Sequence, residues 1–160
     1  MNPWKIADPE RAIEVVHALN AVPWPKSKPE TKQFLAELGW HPDPEFNMPV
    51  SDLGISPAHV FVTAPGSKEV SDIMFSVADT FPDDDAEAKA DFVQDVFAMY
   101  AARFRQEWGK PAKTKTKRRP EIWWNLPNNC GLKLMRDTLS PDVEFTTPLG
   151  CELDKVPDVP

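Results

Sequence analysis

One long helical pattern between two groups of strand-like segments constrains this 160-residue chain more than any other feature. The pattern begins near Phe81 and continues to Trp108, and Gly109 and Pro111 end it. Apolar residues recur along it at helical spacing and form a broad face that must be covered by other elements. They are Phe92, Val93, Val96, Phe97, Tyr100, Phe104 and Trp108.

The strand-like segments indicate how that face is covered. Residues 59–63 and 70–78 are rich in β-branched and aromatic side chains, and the turn at 64–67 joins them into a predicted hairpin. After the helix, three more segments with short turns predict an antiparallel meander: 122–126, 132–136 and 143–146. Short turns exclude parallel crossovers. The sequence therefore predicts an α+β fold, with helices on one face of a single antiparallel sheet of about five strands.

Two shorter helices are predicted before the strands. Asp8 is a favourable cap for a helix over 9–20, and Pro9 suits its first position. A second helix is predicted over 29–38, with Gly39 placed to end it in the left-handed conformation.

The chain is predicted to be a single domain, 1–160. With 41% hydrophobic residues it has enough apolar material for one packed core, and residues 148–160 read as a loose C-terminal tail. The N-terminus lacks the apolar stretch of a signal peptide, and no apolar run approaches the roughly 18 residues of a membrane span. We therefore expect a cytoplasmic protein, in which Cys130 and Cys151 are free thiols.

No catalytic, cofactor-binding or metal-binding pattern stands out. His17, His41 and His59 are not at ligand spacings, and nucleophile elbows and phosphate-binding glycine loops are missing. We therefore expect no enzyme, cofactor or metal. The alternative is a small-molecule enzyme whose fold brings a histidine and carboxylates together in a polar pocket.

Charge is distributed unevenly along the chain. The formal net charge is −7, which favours a basic protein partner and disfavours membranes and nucleic acids. Residues 110–119 nevertheless carry six cations: Lys110, Lys113, Lys115, Lys117, Arg118 and Arg119. The other 150 residues hold 12 basic and 25 acidic side chains, a charge of −13. The basic run could contact nucleic acid or an anionic protein patch, but without an interleaved aromatic it favours a solvated loop.

Two acidic groups are candidate partner contacts. Asp43, Glu45 and Asp52 lie in a long proline-rich connection, 41–57, of a length typical of functional or poorly ordered loops. Asp83, Asp84 and Asp85 lie at the start of the long helix, where negative charge caps the helix and also forms a surface that a cationic partner can read. A metal site at this second group is the less favoured interpretation.

Trp123 is the aromatic candidate. Successive strand residues face opposite sides of a sheet, so if Trp124 enters the core, Trp123 lies on the uncovered face, near Met135, Lys133 and Thr63. Aromatic and methionine side chains are enriched at contact surfaces. The alternative is that both rings are buried, beneath the segment around Trp24 or the C-terminal tail.

Four segments give the chain a family resemblance. They are Trp4 with the helix after it, Ala78–Asp84, Phe92–Phe97 and Pro120–Trp124, so the likeness covers about residues 4 to 146. The chain resembles a family of small uncharacterised actinobacterial proteins that look like immunity factors encoded beside secreted polymorphic toxins. The resemblance implies a cytosolic protein that neutralises a toxin by occluding its active cleft.

The leading hypothesis is therefore an immunity-type inhibitor that binds a basic toxin enzyme as a monomer in a 1:1 complex. One alternative is a chaperone or adaptor for a secreted protein, which would bind an extended segment on the same sheet face. Another is a nucleic-acid accessory protein that uses residues 110–119.

Overall fold

The described residues of this computed structural model are 4–80, 86–137 and 140–154, and they form four helices and one six-stranded sheet. The helices are α1 (Pro9–Asn20), α2 (Lys28–Glu37), α3 (Ala86–Trp108) and α4 (Pro148–Asp154). The strands are β1 (Phe61–Thr63), β2 (Asp72–Ser76), β3 (Lys113–Lys115), β4 (Glu121–Asn125), β5 (Gly131–Arg136) and β6 (Pro141–Thr146). The predicted α+β class, with a single antiparallel sheet and a long central helix, is confirmed.

The sheet has the strand order β1-β2-β6-β5-β4-β3, and every neighbouring pair is antiparallel. β1 and β2 form the predicted hairpin, and β4, β5 and β6 form the predicted meander. β6 then pairs with β2, which joins the two groups into one sheet. Cross-sheet rows therefore combine residues from before and after α3.

The sheet has one strand more than expected because part of the basic run is ordered. Lys113–Lys115 forms the edge strand β3 against β4, whereas the sequence favoured a solvated loop. All three β3 side chains are exposed, so no buried apolar residue marks the strand in the sequence. Backbone pairing with β4, in which Thr114 lies opposite Ile122, defines it instead.

Local capping chemistry sets the ends of the N-terminal helices. Asp8 accepts a hydrogen bond from the Glu10 backbone N–H, as predicted. α2 begins one residue earlier than predicted, because Ser27 and Glu30 form a reciprocal capping box. Gly39 follows α2 with a φ of 101°, as its position after the helix predicted.

One face of the sheet carries the core. Its inward side chains are buried and belong to all strands except β3: Val62, Ile73, Phe75, Ile122, Trp124, Leu132, Leu134, Val143 and Phe145. Three ring contacts show what covers this face. Phe104 of α3 lies 5.8 Å from Trp124, Trp40 lies 5.0 Å from Phe75, and Trp24 lies 6.0 Å from Phe145. The long helix and the N-terminal region therefore pack on the same side.

α1 is fastened to α3 by a polar network along their shared edge. Arg103 donates to both carboxylate oxygens of Glu10, at 2.6 and 2.7 Å, and also contacts Glu107 at 3.2 Å. His17 Nε2 lies 2.8 Å from Glu107. The buried Tyr100 hydroxyl donates to the Ala7 carbonyl at 2.7 Å, and burial raises the pKa of this phenol.

The first part of the expected loose tail is a helix. Thr147 donates from its hydroxyl to the Val70 carbonyl and accepts from the Gly150 N–H, which fixes the start of α4. Thr147-Pro148 is the same cap-then-proline start as Asp8-Pro9, so the signal was present in the sequence. Residues 155–160 lie outside the described part of the chain.

Candidate functional site

The open face is the side of the sheet opposite the core, and one row of side chains crosses it through all six strands. In strand order the members of this cross-sheet row are Phe61, Met74, Glu144, Lys133, Trp123 and Lys113. Directly opposite residues of antiparallel strands have Cβ atoms about 4.5–5.5 Å apart, so neighbours in the row are within contact distance. The row has an apolar end, an acid–base centre and an aromatic–cationic end.

Trp123 lies on the open face, as predicted, and two lysines flank its ring. Lys133 Nζ is 3.9 Å and Lys113 Nζ 5.0 Å from the ring centroid, both within the range of a cation–π contact. The indole Nε1 donates to the Glu121 carboxylate at 2.9 Å. Of its predicted neighbours, Lys133 is directly opposite, but Thr63 is on the distant edge strand β1. The half-buried ring is thus held in place while part of it stays in solvent.

The centre of the row is an ion pair between two largely buried side chains, Lys133 and Glu144, which are 12% and 16% exposed. Lys133 Nζ lies 3.3 Å from Glu144 and 4.0 Å from Asp154 of α4. Burial raises the pKa of the Glu144 carboxyl; Lys133 opposes the rise, and the negative charges of Asp72 and Asp154 add to it. The charge state of Glu144 therefore depends on the charges of Lys133, Asp72 and Asp154.

A second carboxylate on the open face has hydroxyl donors and no lysine. Asp142 accepts from Ser76 at 2.7 Å and from Ser140 at 3.1 Å. Burial raises the pKa of Asp142, and these two hydrogen bonds lower it only in part. The open face is thus charged, but its carboxylates are partly removed from water.

α4 covers one end of the open face. Cys151 of α4 packs closely on Gly131 of β5: a Cβ atom added at Gly131 would lie 3.2 Å from the Cys151 Sγ atom. Gly150 packs against the backbone of Ser71 and the side chain of Thr146. A pocket of about 180 Å³ remains between α4 and the row, with Trp123, Lys133, Cys151 and Asp154 among its lining residues. At the opposite end of the face, on β1, Phe61 is 52% exposed, and Met74 beside it on β2 is half-buried.

Two of the predicted acidic contacts are occupied by bonds within the chain. Asp43 accepts from His59 at 3.1 Å and from the backbone N–H groups of Glu45 and Phe46, and these bonds, the one from His59 first, lower the pKa of Asp43. The 41–57 connection is therefore shaped by Asp43, while the Glu45 side chain is exposed.

Asp52 joins three parts of the chain. It accepts from Arg11 of α1 at 2.8 Å and from the indole N–H of the fully buried Trp40 at 2.7 Å. Burial acts to raise the pKa of Asp52, but the bonds from Arg11 and Trp40 outweigh it, so the pKa lies below its ordinary value. Sequence alone did not reveal this structural role. Asp83, Asp84 and Asp85 lie outside the described residues.

The histidines are dispersed. His17 faces Glu107, His59 faces Asp43, and His41 is exposed. Within residues 4–80, 86–137 and 140–154, no group of three or more His, Cys, Asp or Glu side chains could hold a metal ion. A groove of about 380 Å³ between α1 and α2, lined by Trp24 and Phe34 among others, has no histidine in its lining.

Three members of the row were not singled out from the sequence as contacts: Phe61, Met74 and Glu144. The alternation of each strand indicated that they face away from the core. Alternation alone does not give the register between strands, which is what brings these residues into one line. That register depends on the position of β6 between β2 and β5.

Comparison with known proteins gives a family but no function. Residues 10–147 match a family of unknown function, DUF6301. The chain belongs to this family. The matched range includes every member of the cross-sheet row and ends just before α4. No curated protein and no solved structure matches the chain. None of the helices with described positions combines the length and hydrophobicity needed for a transmembrane span.

Proposed function

We propose that this DUF6301 member is an immunity-type protein that inhibits a secreted toxin enzyme by covering its active site, with the open face as the contact surface. The cross-sheet row is the observation that carries the proposal. It combines an exposed Phe61 and a half-buried Met74 and Trp123 with a charged centre, on the face opposite the core. Aromatic and methionine side chains surrounded by polar groups are typical of protein interfaces.

The acidic connection is the proposed second contact. His59 lies two residues before Phe61, and Asp43 binds His59, so the connection adjoins the apolar end of the row. In this arrangement Asp43 and Asp52 hold the shape of the connection, and the exposed Glu45 meets the partner. Asp83, Asp84 and Asp85 are retained as further proposed contacts.

The net charge of −7 supports a basic partner, because opposite charges accelerate encounter and orient the two proteins. The proposed complex is 1:1, formed by a monomer in the cytoplasm. No catalytic role, cofactor or metal is assigned to the chain.

Co-expression with the product of the adjacent gene tests the proposal. We expect a 1:1 complex by size-exclusion chromatography with light scattering, loss of the enzyme's activity, and survival of cells that otherwise die. Phe61→Ala/Trp123→Ala should weaken the complex about 30-fold or more, as expected when interface hot spots are truncated. The matched control is Met99→Ala, which truncates an exposed apolar residue on α3 and should change the affinity less than twofold.

Three results would count against the proposal. Absence of a complex together with absence of protection rejects it for that partner. Equal losses in the Met99 control and the double variant reject the open face as the contact. A complex in which the enzyme stays active supports the alternative chaperone or adaptor function, since a chaperone carries its client without silencing it.

A further inference from the structure

The edge strand β3, with the basic segment 110–119 around it, forms a second surface of opposite charge. We propose that this edge binds an extended acidic peptide segment of a partner protein, which joins the sheet as a seventh strand beside β3. The surface adjoins the cationic end of the open face and shares Lys113 with the cross-sheet row. The proposal does not depend on the inhibitor function.

The first observation is the free edge. β3 pairs with β4 on one side and is the terminal strand of the sheet among the described residues. Lys113, Thr114 and Lys115 are all exposed, so no described helix or loop buries this strand. A terminal strand offers a row of backbone donors and acceptors that an extended peptide can pair with.

The second observation is the state of the charges. All six cations of the segment 110–119 are exposed, and none forms an ion pair with a described carboxylate. Cations elsewhere in the chain, such as Arg11, Arg103 and Lys133, do form ion pairs. Lys113 has a contact with the Trp123 ring, which leaves its charge uncompensated. The edge therefore combines unpaired backbone groups with uncompensated positive charge.

The register specifies the side chains that fit. Lys113 and Lys115 lie opposite Trp123 and Glu121, so both face the open side, whereas Thr114 lies opposite Ile122 and faces the core side. An added strand with acidic residues at alternate positions would place its carboxylates beside the two lysines. Opposite charges on facing strand positions are stabilising, whereas the lysines disfavour apolar or basic strands.

The acidic remainder of the molecule does not prevent this contact. In physiological salt, interactions between exposed charges are largely screened beyond about 8 Å. A bound strand therefore responds mainly to the cations beside it, and its affinity falls as salt increases.

Nucleic acid is the less favoured occupant. Stacking on aromatic side chains contributes much of the affinity for single strands. No aromatic residue occurs within 110–119, and the nearby Trp123 ring is flanked by Lys113 and Lys133. An extended acidic peptide can pair with the free backbone groups of β3 and place its carboxylates beside Lys113 and Lys115.

Titration of the isotope-labelled full chain with an octapeptide of alternating glutamate and threonine tests the proposal. We expect amide chemical-shift changes centred on residues 112–117 and slower hydrogen exchange of the outward β3 amide. An octapeptide of alternating lysine and threonine should not bind. Two further acidic peptides distinguish backbone pairing from charge attraction. One is N-methylated at the odd-numbered residues and the other at the even-numbered residues, so only one of them loses the N–H groups that face β3. That peptide alone should lose binding.

Charge reversal on the protein completes the test. Lys113→Glu/Lys115→Glu should weaken binding of the acidic peptide about tenfold or more. The control Lys28→Glu/Lys68→Glu changes the net charge equally at exposed sites away from β3 and should have less than a twofold effect. If the reversed protein does not fold, Lys115→Gln/Lys117→Gln replaces it, with a smaller loss expected.

The proposal is overturned if the acidic peptide does not bind, if both methylated peptides bind as well as the parent, or if the control loses as much affinity as the edge variant. Tighter binding of an oligouridine RNA than of the acidic peptide would also overturn it and would assign the edge to nucleic acid.

Discussion

The two faces of the sheet serve different purposes, and the adjacent residues Trp123 and Trp124 of β4 show the contrast. Trp124 is 2% exposed, packs against Phe104, and donates its indole N–H to the Gly109 carbonyl at 3.0 Å. Trp123 faces outward, between two lysines. Because successive residues of a strand face opposite sides of the sheet, Trp124 stabilises the fold while Trp123 is available to a partner.

Replacing Trp124 by Ala should have the largest effect on stability. The substitution opens a cavity beneath α3 and removes the hydrogen bond to Gly109, so we expect a loss of about 3–5 kcal/mol in the free energy of unfolding. Urea denaturation followed by circular dichroism measures it. A loss no greater than that of Trp123→Ala would break the distinction between the two faces.

Gly150→Ala tests how firmly α4 closes its end of the open face. The added methyl group would overlap the Ser71 carbonyl and the Thr146 side chain, so we expect a loss of about 1–3 kcal/mol from overpacking. Faster amide exchange in α4 would accompany it. Leu153→Ala, at an exposed position of the same helix, is the control and should stay within about 0.5 kcal/mol. Equal effects of the two would show that α4 is only loosely attached.

Trp123→Ala should cost little stability. The ring has two cation–π contacts, each worth about 0.5–1 kcal/mol at exposed sites, so a total loss of about 1–2 kcal/mol in the free energy of unfolding is expected in urea denaturation. Trp123→Phe keeps an aromatic ring between the two lysines and should recover part of the lost stability. A loss above about 3 kcal/mol would place Trp123 among the core residues.

Asp142→Asn should give the smallest change, and a stabilising one. Because burial raises the pKa of Asp142, the folded protein binds this proton more tightly than the unfolded chain, and the cost of ionisation grows as pH rises through the folded pKa. Asparagine does not ionise, so the Asp142→Asn variant does not carry this free-energy cost. Its free energy of unfolding should exceed that of the natural protein at pH 7 by about 1 kcal/mol or less, and the two should converge below the ordinary pKa of 3.8. Thermal unfolding from pH 3 to pH 7 measures this, and a variant less stable at pH 7 contradicts it.

Local sequence signals were sufficient for most helices and for the division of the sheet into two faces. Asp8-Pro9 marks α1 because the cap and its partner are two residues apart. β3 was not predictable in this way, since its exposed Lys-Thr-Lys side chains carry no pattern of burial. α4 was not predicted although Thr147 and Pro148 mark its start, because the packing of Gly150 depends on Ser71, far away in the chain.

The acidic candidates show the same limit. An aspartate that faces solvent and one that binds a distant arginine look alike in sequence. Arg11 is 41 residues from Asp52, and the hydrogen bond between them forms only when α1 packs beside the 41–57 connection. Trp123 could be placed because its orientation depends on its neighbour in the same strand.

The order of strands has a consequence for molecular recognition. Residues 61, 74, 144, 133, 123 and 113 form one line only after β6 of the meander has paired with β2 of the hairpin, so no short fragment of the chain can reproduce their arrangement. A binder that requires this line of side chains discriminates the native protein from unfolded copies. Such a binder raises the melting temperature by an amount that increases with the ratio of its free concentration to its Kd, so thermal shift reports binding to the native protein.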